Sequence, residues 1–350
     1  MGLVEKSKLN ALTILFVTLF LLSCVSNSTE PDDSISLKAL GRATSEGNQW
    51  KQLVQLPLKI DKINFRLTDI SCSKKGFIYA STSGGGVFEI NPNDNSYRQV
   101  TDGLIADNAI GIGEAYFVST VLCVDNRIVC SSSDLRTKGG YYYSNDTGTF
   151  NTSMLLGKYT FGVSLNQSPN GQLFASSYQQ VFRSNDFGRS WIDETFKADE
   201  GFGYFYSFAF DSRNGIYATG YKGIYFSDSK EISFKRIGLE NETTYGVDIN
   251  SNGWIFVSTM SGNYYYSKDE GKSWNSIITV PSGIIGRCLY INTNNTIFLG
   301  SSNGIYRSKD NGVSWEFLGL ADEIILKITS DNKGNLLVGT FGSRVYLGTN

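Results

Sequence analysis

The 350-residue chain has no histidine. That removes Ser-His-Asp and Cys-His nucleophilic mechanisms and every His-ligated metal site at once. Cysteine is scarce, five in all, and no two stand in a CxxC pair, so zinc and dithiol redox motifs are absent and no metal or other cofactor is expected. Proline is equally scarce, at five residues against 37 glycines, a balance that suits a turn-rich β protein. Neither sign of charge dominates: 31 Lys and Arg face 33 Asp and Glu, for a net charge of −2. Such a surface offers no electrostatic handle for nucleic acid or anionic lipid.

No apolar run reaches the ~20 residues a spanning helix needs. The longest, residues 11–22, follows Lys6 and Lys8 and ends at Ser23-Cys24, the layout of a secretion signal. Leu21-Leu22-Ser23-Cys24 resembles the lipobox of bacterial lipoproteins. The resemblance implies cleavage before Cys24, lipid (palmitate among its chains) on the mature N-terminus, and a place in the bacterial cell envelope, periplasmic or at the cell surface. Residues 24–47 are Ser, Asn, Asp, Glu and Thr with few apolar side chains, too polar to offset the entropy of ordering, and read as a flexible tether. The expected organisation is therefore 1–23 leader, 24–47 tether and 48–350 one globular body. Within that body Cys72, Cys123, Cys130 and Cys288 lie in apolar strand-like runs. They read as small buried hydrophobes, although four cysteines in an exported chain also permit three disulfide pairings.

The body is built from a repeat. Short β-rich segments begin at Val87, Tyr141, Val181, Ile224, Tyr264, Ile305 and Val345, roughly 40 residues apart apart from one long first step, the spacing of propellers and arrays. Before each comes another strand, such as residues 173–175, 216–218 and 255–257, often entered through Asn-Gly or Lys-Gly turns. An alternating strand, such as 208–210 or 247–249, precedes that one. The unit is strand, turn, strand, loop, strand, eight-residue motif, strand. Seven units predict an all-β, seven-bladed β-propeller of four-stranded antiparallel blades. The last unit lacks a fourth strand, and residues 50–54 form an orphan strand near the start. The expectation is that this N-terminal strand completes the last blade and leaves no open edge.

The eight-residue motif recurs at 184–191, 267–274 and 308–315, with worn copies at 144–150 and 227–234. Its Ser and Asp can accept bonds from turn amides, its Gly can adopt positive φ, and its Trp can bury. Ser-x-Asp-x-Gly-x-Ser-Trp resembles the Asp-box, or bacterial neuraminidase repeat. That resemblance implies structural roles for Asp146, Asp186, Trp191, Asp269, Trp274, Asp310 and Trp315, on the face away from any ligand.

Chemistry is then expected at the other end, where fourth strands lead into first strands and second strands loop into third. Aromatic residues gather there, and Tyr178, Tyr204, Tyr206, Tyr221, Tyr245 and Phe341 are the candidate ligand contacts. Acids in the same links include Glu114, Glu194, Asp199, Glu200 and Glu242. Phe65-Arg66-Leu67-Thr68 is similar to the Phe/Tyr-Arg-Ile-Pro of sialidases but lacks Ile-Pro, and Arg287 could face the same opening with no third arginine beside it. Catalytic candidates reduce to Glu200, Arg66 and Arg287. The reading that emerges is a lipid-anchored binding module for a glycan or an envelope protein. A glycoside hydrolase using loop carboxylates and Tyr is the rival, and an assembly factor like the photosystem II propellers is a minor alternative.

Overall fold

The computed structural model describes residues 50–348 apart from 58, 61–62, 65, 107–114, 134–138, 146–147, 157–161, 178–179, 195–204, 279 and 281–285. All fall in one compact unit, Thr44–Asn350. Cys24, Asp146, Tyr178, Glu200 and Tyr204 lie outside the described residues.

The strands are antiparallel meanders, as the Gly-rich turns and alternating segments dictate. Five are separate four-stranded blades. One runs Ser164–Gln167, Leu173–Ser177, Gln180–Ser184 and Ile192–Asp193, and the next Phe205–Phe210, Ile216–Gly220, Gly223–Ser227 and Lys235–Gly238. Two more follow: Thr244–Ile249 to Asn275–Ser276, and Gly286–Ile291 to Glu316–Gly319. The last contains Ile325–Ser330, Leu336–Thr340 and Arg344–Gly348, and its outer strand is Trp50–Gln55 from the start of the body.

The expectation of seven separate blades is corrected here. The first two meanders, Arg66–Cys72 to Tyr97–Val100 and Tyr116–Val124 to Phe150–Leu156, share one eight-stranded sheet. The second strand of the first, Ile78–Gly84, runs on to pair Ser83 with Phe117 and Gly84 with Tyr116. Gly84 and Gly86 both have positive φ, and a side chain on Gly86 would meet Thr101 and Tyr116, so the extension depends on glycine here.

First strands of successive meanders touch in a closed circuit, from Arg66–Cys72 through Tyr116–Val124 and onward to Ile325–Ser330, which returns to Arg66–Cys72. Second strands are buried along their whole length in the five separate blades, and apolar clusters fill the space between neighbouring meanders. Near their beginnings six of the inner strands carry the same register shift, for example between Leu67 and Asp69, Phe205 and Ser207, and Thr244 and Gly246. Such bulges sharpen local twist. Hydroxyls tie these strand ends to the neighbouring meander: Thr68 donates to the Val118 carbonyl at 2.6 Å, Ser176 to Phe205 at 2.7 Å and Thr219 to Tyr245 at 2.8 Å.

In each complete eight-residue motif the Ser Oγ accepts the Gly N–H at 2.8–2.9 Å, and the Asp accepts both the N–H and hydroxyl of the second Ser. The residue before the Gly also has positive φ, as at Phe187, Glu270 and Asn311. The tryptophan does more than end its own turn. Trp274 donates to the Ile237 carbonyl at 3.1 Å and Trp191 to Ser153 Oγ at 3.0 Å, both in the outer strand region of the preceding meander. Trp50, with no such motif before it, does the same to Leu318 O at 2.8 Å. A side chain on Gly238 would strike the Trp274 indole, and one on Gly319 would crowd that of Trp50.

Candidate functional site: the mouth and the inner channel

Tyr206 and Tyr245 occupy equivalent bulges at the start of successive inner strands, which places their rings 5.6 Å apart. Tyr221 joins them from the loop between second and third strands and is 45% exposed. Burial raises the Tyr206 hydroxyl pKa, with nearby Tyr221 adding to the effect. Lys222 places its ammonium 5.5 Å from the Tyr221 ring. Three of the six aromatic candidates thus share one site. Phe341 is on another meander, where the Arg66 guanidinium stacks 4.3 Å from its ring centroid. Phe205, the residue before Tyr206, is fully buried against Phe208, Tyr225 and Phe234. The side chain of Arg287 is outside the described residues.

The described acids of the mouth are held in place. Glu242 accepts from Ser261 at 2.6 Å, Asn263 at 2.7 Å and Tyr265 at 3.0 Å. Burial acts to raise its pKa, and these bonds together outweigh burial and leave it below the ordinary value. Glu323, which sequence reading passed over, repeats the arrangement with Arg344 at 2.6 Å and Tyr346 at 2.7 Å. Burial, then the Glu323 bond, push Tyr346 up to about 12. Glu194 takes a two-pronged bond from Arg183, and Arg307 pairs with Glu316, so these arginines are committed away from the mouth.

Below the mouth the inner strands carry a polar seam that sequence reading also missed. Lys327 reaches Asp69 at 3.0 Å across the junction of last and first meanders, with the two side chains 39% and 10% exposed. Asp69 also accepts from Ile70 N–H and Thr120 Oγ1 at 2.9 Å and Val121 N–H at 3.3 Å. The Asp69 charge raises the Lys327 pKa despite burial. Cys288 lies near Lys327, and burial pushes its thiol up to about 12, so it is no nucleophile. The signal was an acid or lysine inside an otherwise apolar strand, as in Asp69, Asp248 and Lys327.

Asp248 accepts Ile249 N–H at 2.8 Å and Ile291 N–H at 2.7 Å. Burial nevertheless pushes its carboxyl up to about 6, against those bonds and the Lys327 charge. The folded state then binds a proton that the unfolded chain releases near 3.8, so this group's contribution to stability grows as pH falls from above 6 towards 4. With no histidine to titrate in that window, the urea midpoint should rise between pH 7.5 and 5. The gain should be about 1 kcal/mol after discounting for solvent screening, and Asp248→Asn should flatten it. A wild-type midpoint that falls over this range contradicts the assignment.

No family model matches the chain, and no curated protein does. Solved structures match it along most of its length. Virginiamycin B lyase from Staphylococcus aureus superposes with a TM-score of 0.68 at 12% identity, covering 87% of this chain and 99% of the lyase. YCF48 bound to D1 peptide gives 0.63 at 12% identity over 87% and 97%. The extracellular domain of a hybrid two-component system from B. thetaiotaomicron gives 0.65 at 13% identity, over 86% of this chain and 40% of that one. The chain has a β-propeller fold. At such identities these propellers share architecture with it, and their activities are their own.

Proposed function

We propose that the protein is an exported propeller that works as a binding module, taking a glycan or a protein partner at the mouth. The observation that carries this is the convergence of Tyr206, Tyr221 and Tyr245 from adjacent meanders, with Tyr221 exposed to solvent. Aromatic faces around an opening suit stacking on sugar rings or packing on a partner's apolar side chains. A protein partner gains support from a propeller of similar fold that is described bound to a peptide. Hydrolysis by paired carboxylates requires an acid and a base free to act on the same bond, whereas Glu194, Glu242 and Glu323 are each engaged in fixed bonds. A glycan array and a random peptide library should yield ligands whose affinity falls at least tenfold in Tyr221→Ala and Tyr245→Ala at unchanged melting temperature. Turnover of fluorogenic glycosides, abolished by Glu200→Gln, would overturn the reading in favour of a hydrolase.

Two finer features belong to the same proposal. We count the eight-stranded sheet as two blades joined at Gly84 and Tyr116, which gives a seven-bladed ring. The closed circuit of inner strands supports that count, and an experimental density map with any other number of radial lobes would end it. The leader and Cys24 support lipid anchoring in a bacterial envelope, and an extracellular propeller domain among the structural matches fits that location. Labelling with palmitate should be lost in Cys24→Ala; equal labelling of the two proteins ends the anchor.

A further inference from the structure

Three indoles of the rim donate to the meander before their own, and all three find the same kind of residue. In the second meander the outer strand carries a one-residue bulge at Ser153, between the pairs Tyr141–Met154 and Tyr142–Thr152. In the fourth the bulge falls at Ile237, and in the sixth at Leu318. These are the residues bonded by Trp191, Trp274 and Trp50. A bulged residue opposes no partner in its ladder, so its acceptor is available to a donor from the next meander. The last meander has a bulge too, at Leu53, and no tryptophan follows it in the first. Leu53 is buried among apolar side chains instead.

The outer strands of the first, third and fifth meanders, Tyr97–Val100, Ile192–Asp193 and Asn275–Ser276, have no bulge. The motifs after them end in Phe150, Phe234 and Trp315. Two of these seams are closed by other means: Phe150 donates its N–H to the Asp102 carbonyl at 2.8 Å, and Phe234 is buried with its ring 4.7 Å from Phe205. The third differs. Trp315 Nε1 is buried with no hydrogen-bond partner among the described residues. The indole packs with Ile277, Trp254 and Tyr266, and Ile278, next along the chain, is 88% exposed. Bonds that do cross this seam, Asn250 to Asn311 and Ser251 to Asn295, reach the turn between first and second strands of the fifth meander and leave its outer strand out.

We propose that the indole bonds latch the rim, and that the seam between fifth and sixth meanders is built unlatched, so that the outer strand Asn275–Ser276 opens locally while the ring stays folded. A buried donor with no acceptor keeps its desolvation cost, and opening returns the Trp315 N–H to water. The outer strand gives up only the pairs Tyr265–Ser276 and Tyr266–Asn275 and the bond from Ile277 N–H to the Tyr264 carbonyl. Local opening of this kind needs far less free energy than global unfolding. It leaves the third strand, Tyr264–Ser267, without its outer neighbour, at one fixed angle of the ring and away from the inner strands. The device is independent of what the mouth binds.

The test is amide hydrogen exchange on the full chain, read by mass spectrometry over residues 275–278, 235–238 and 316–319. In the wild type, 275–278 should exchange about tenfold faster than the other two outer strands, or faster still. Trp274→Phe and Trp315→Phe then remove the same atoms from equivalent turns. Trp274→Phe should speed exchange of 235–238 by about fivefold, the loss of one hydrogen bond, whereas Trp315→Phe should change that of 275–278 by less than about twofold. Equal protection of the three strands in the wild type overturns the proposal. So does a Trp315→Phe effect as large as that of Trp274→Phe, which would mean that the Trp315 indole is bonded in solution. A fast 275–278 with 235–238 unmoved by Trp274→Phe overturns it as well, because strand length alone would then set the protection.

Discussion

Deleting residues 49–56 should abolish cooperative folding of the body, even though the segment is eight residues at one end of it. Leu53, Val54 and Leu56 are buried in the cluster that joins last and first meanders, and Trp50 packs on Gly319 and Gly348 while bonding Leu318 O. Truncating one large buried side chain costs about 2–5 kcal/mol. Losing four together exceeds the roughly 5–15 kcal/mol that holds a domain of ordinary stability. The deletion also bares the edge of Arg344–Gly348, all five residues of which pair with Trp50–Gln55 across one bulge, and an uncovered edge invites aggregation. The measurement is thermal unfolding followed by circular dichroism: wild type should show one sharp transition and the deletion none. A synthetic peptide of residues 48–57, added in trans, should restore a transition whose midpoint depends on peptide concentration. A deletion that melts within a few degrees of wild type would remove the role assigned to this strand.

Asp69→Ala and Lys327→Met should both destabilise, and unequally, although they break the same ion pair. In Lys327→Met the Asp69 carboxylate keeps donors from Ile70, Thr120 and Val121. The replacement chain fills the space, so the cost should stay near 1–2 kcal/mol. In Asp69→Ala the ammonium is left between strands without its counter-charge, and the Thr120 hydroxyl and Val121 N–H lose their acceptor. A cost of about 3–5 kcal/mol is expected for breaking such a site from that side. Urea denaturation near neutral pH reads both. Equal midpoints would mean that the hydrogen bonds around Asp69 contribute nothing beyond the pair itself.

The strand order was legible because the second strands are buried along their length, the third strands in large part, and both read as apolar runs between Gly-containing turns. The start of the body was legible for a related reason: a repeat lacking its fourth strand leaves Trp50–Gln55 as the natural filler. The union of the first two meanders was not, because it depends on Ser83 and Gly84 finding Phe117 and Tyr116 across a gap in sequence that no local propensity reports. The motif predicted its own turn through Ser308, Asp310 and Gly312. It said nothing of where its Trp goes, since the acceptor of Trp274 is 37 residues earlier in the chain. At the mouth, Tyr206 and Tyr245 could be paired because they hold the same phase of the repeat. Phe205, one position before, points to the core, and a bulge is what separates their fates. Glu323 stayed hidden because its partners Arg344 and Tyr346 lie two strands further on.

The link between Gly84 and Tyr116 bears on how a ligand chooses its orientation. A ring of near-identical units offers a molecule arriving along its axis many rotated poses of similar energy, and such degeneracy dilutes specificity. One joint between meanders that differs from all the others, with the polar Asp69–Lys327 closure on the other side of the first meander, gives the rim a fixed zero of angle. A bound partner can then be held in one rotational setting, and whatever it carries faces one direction.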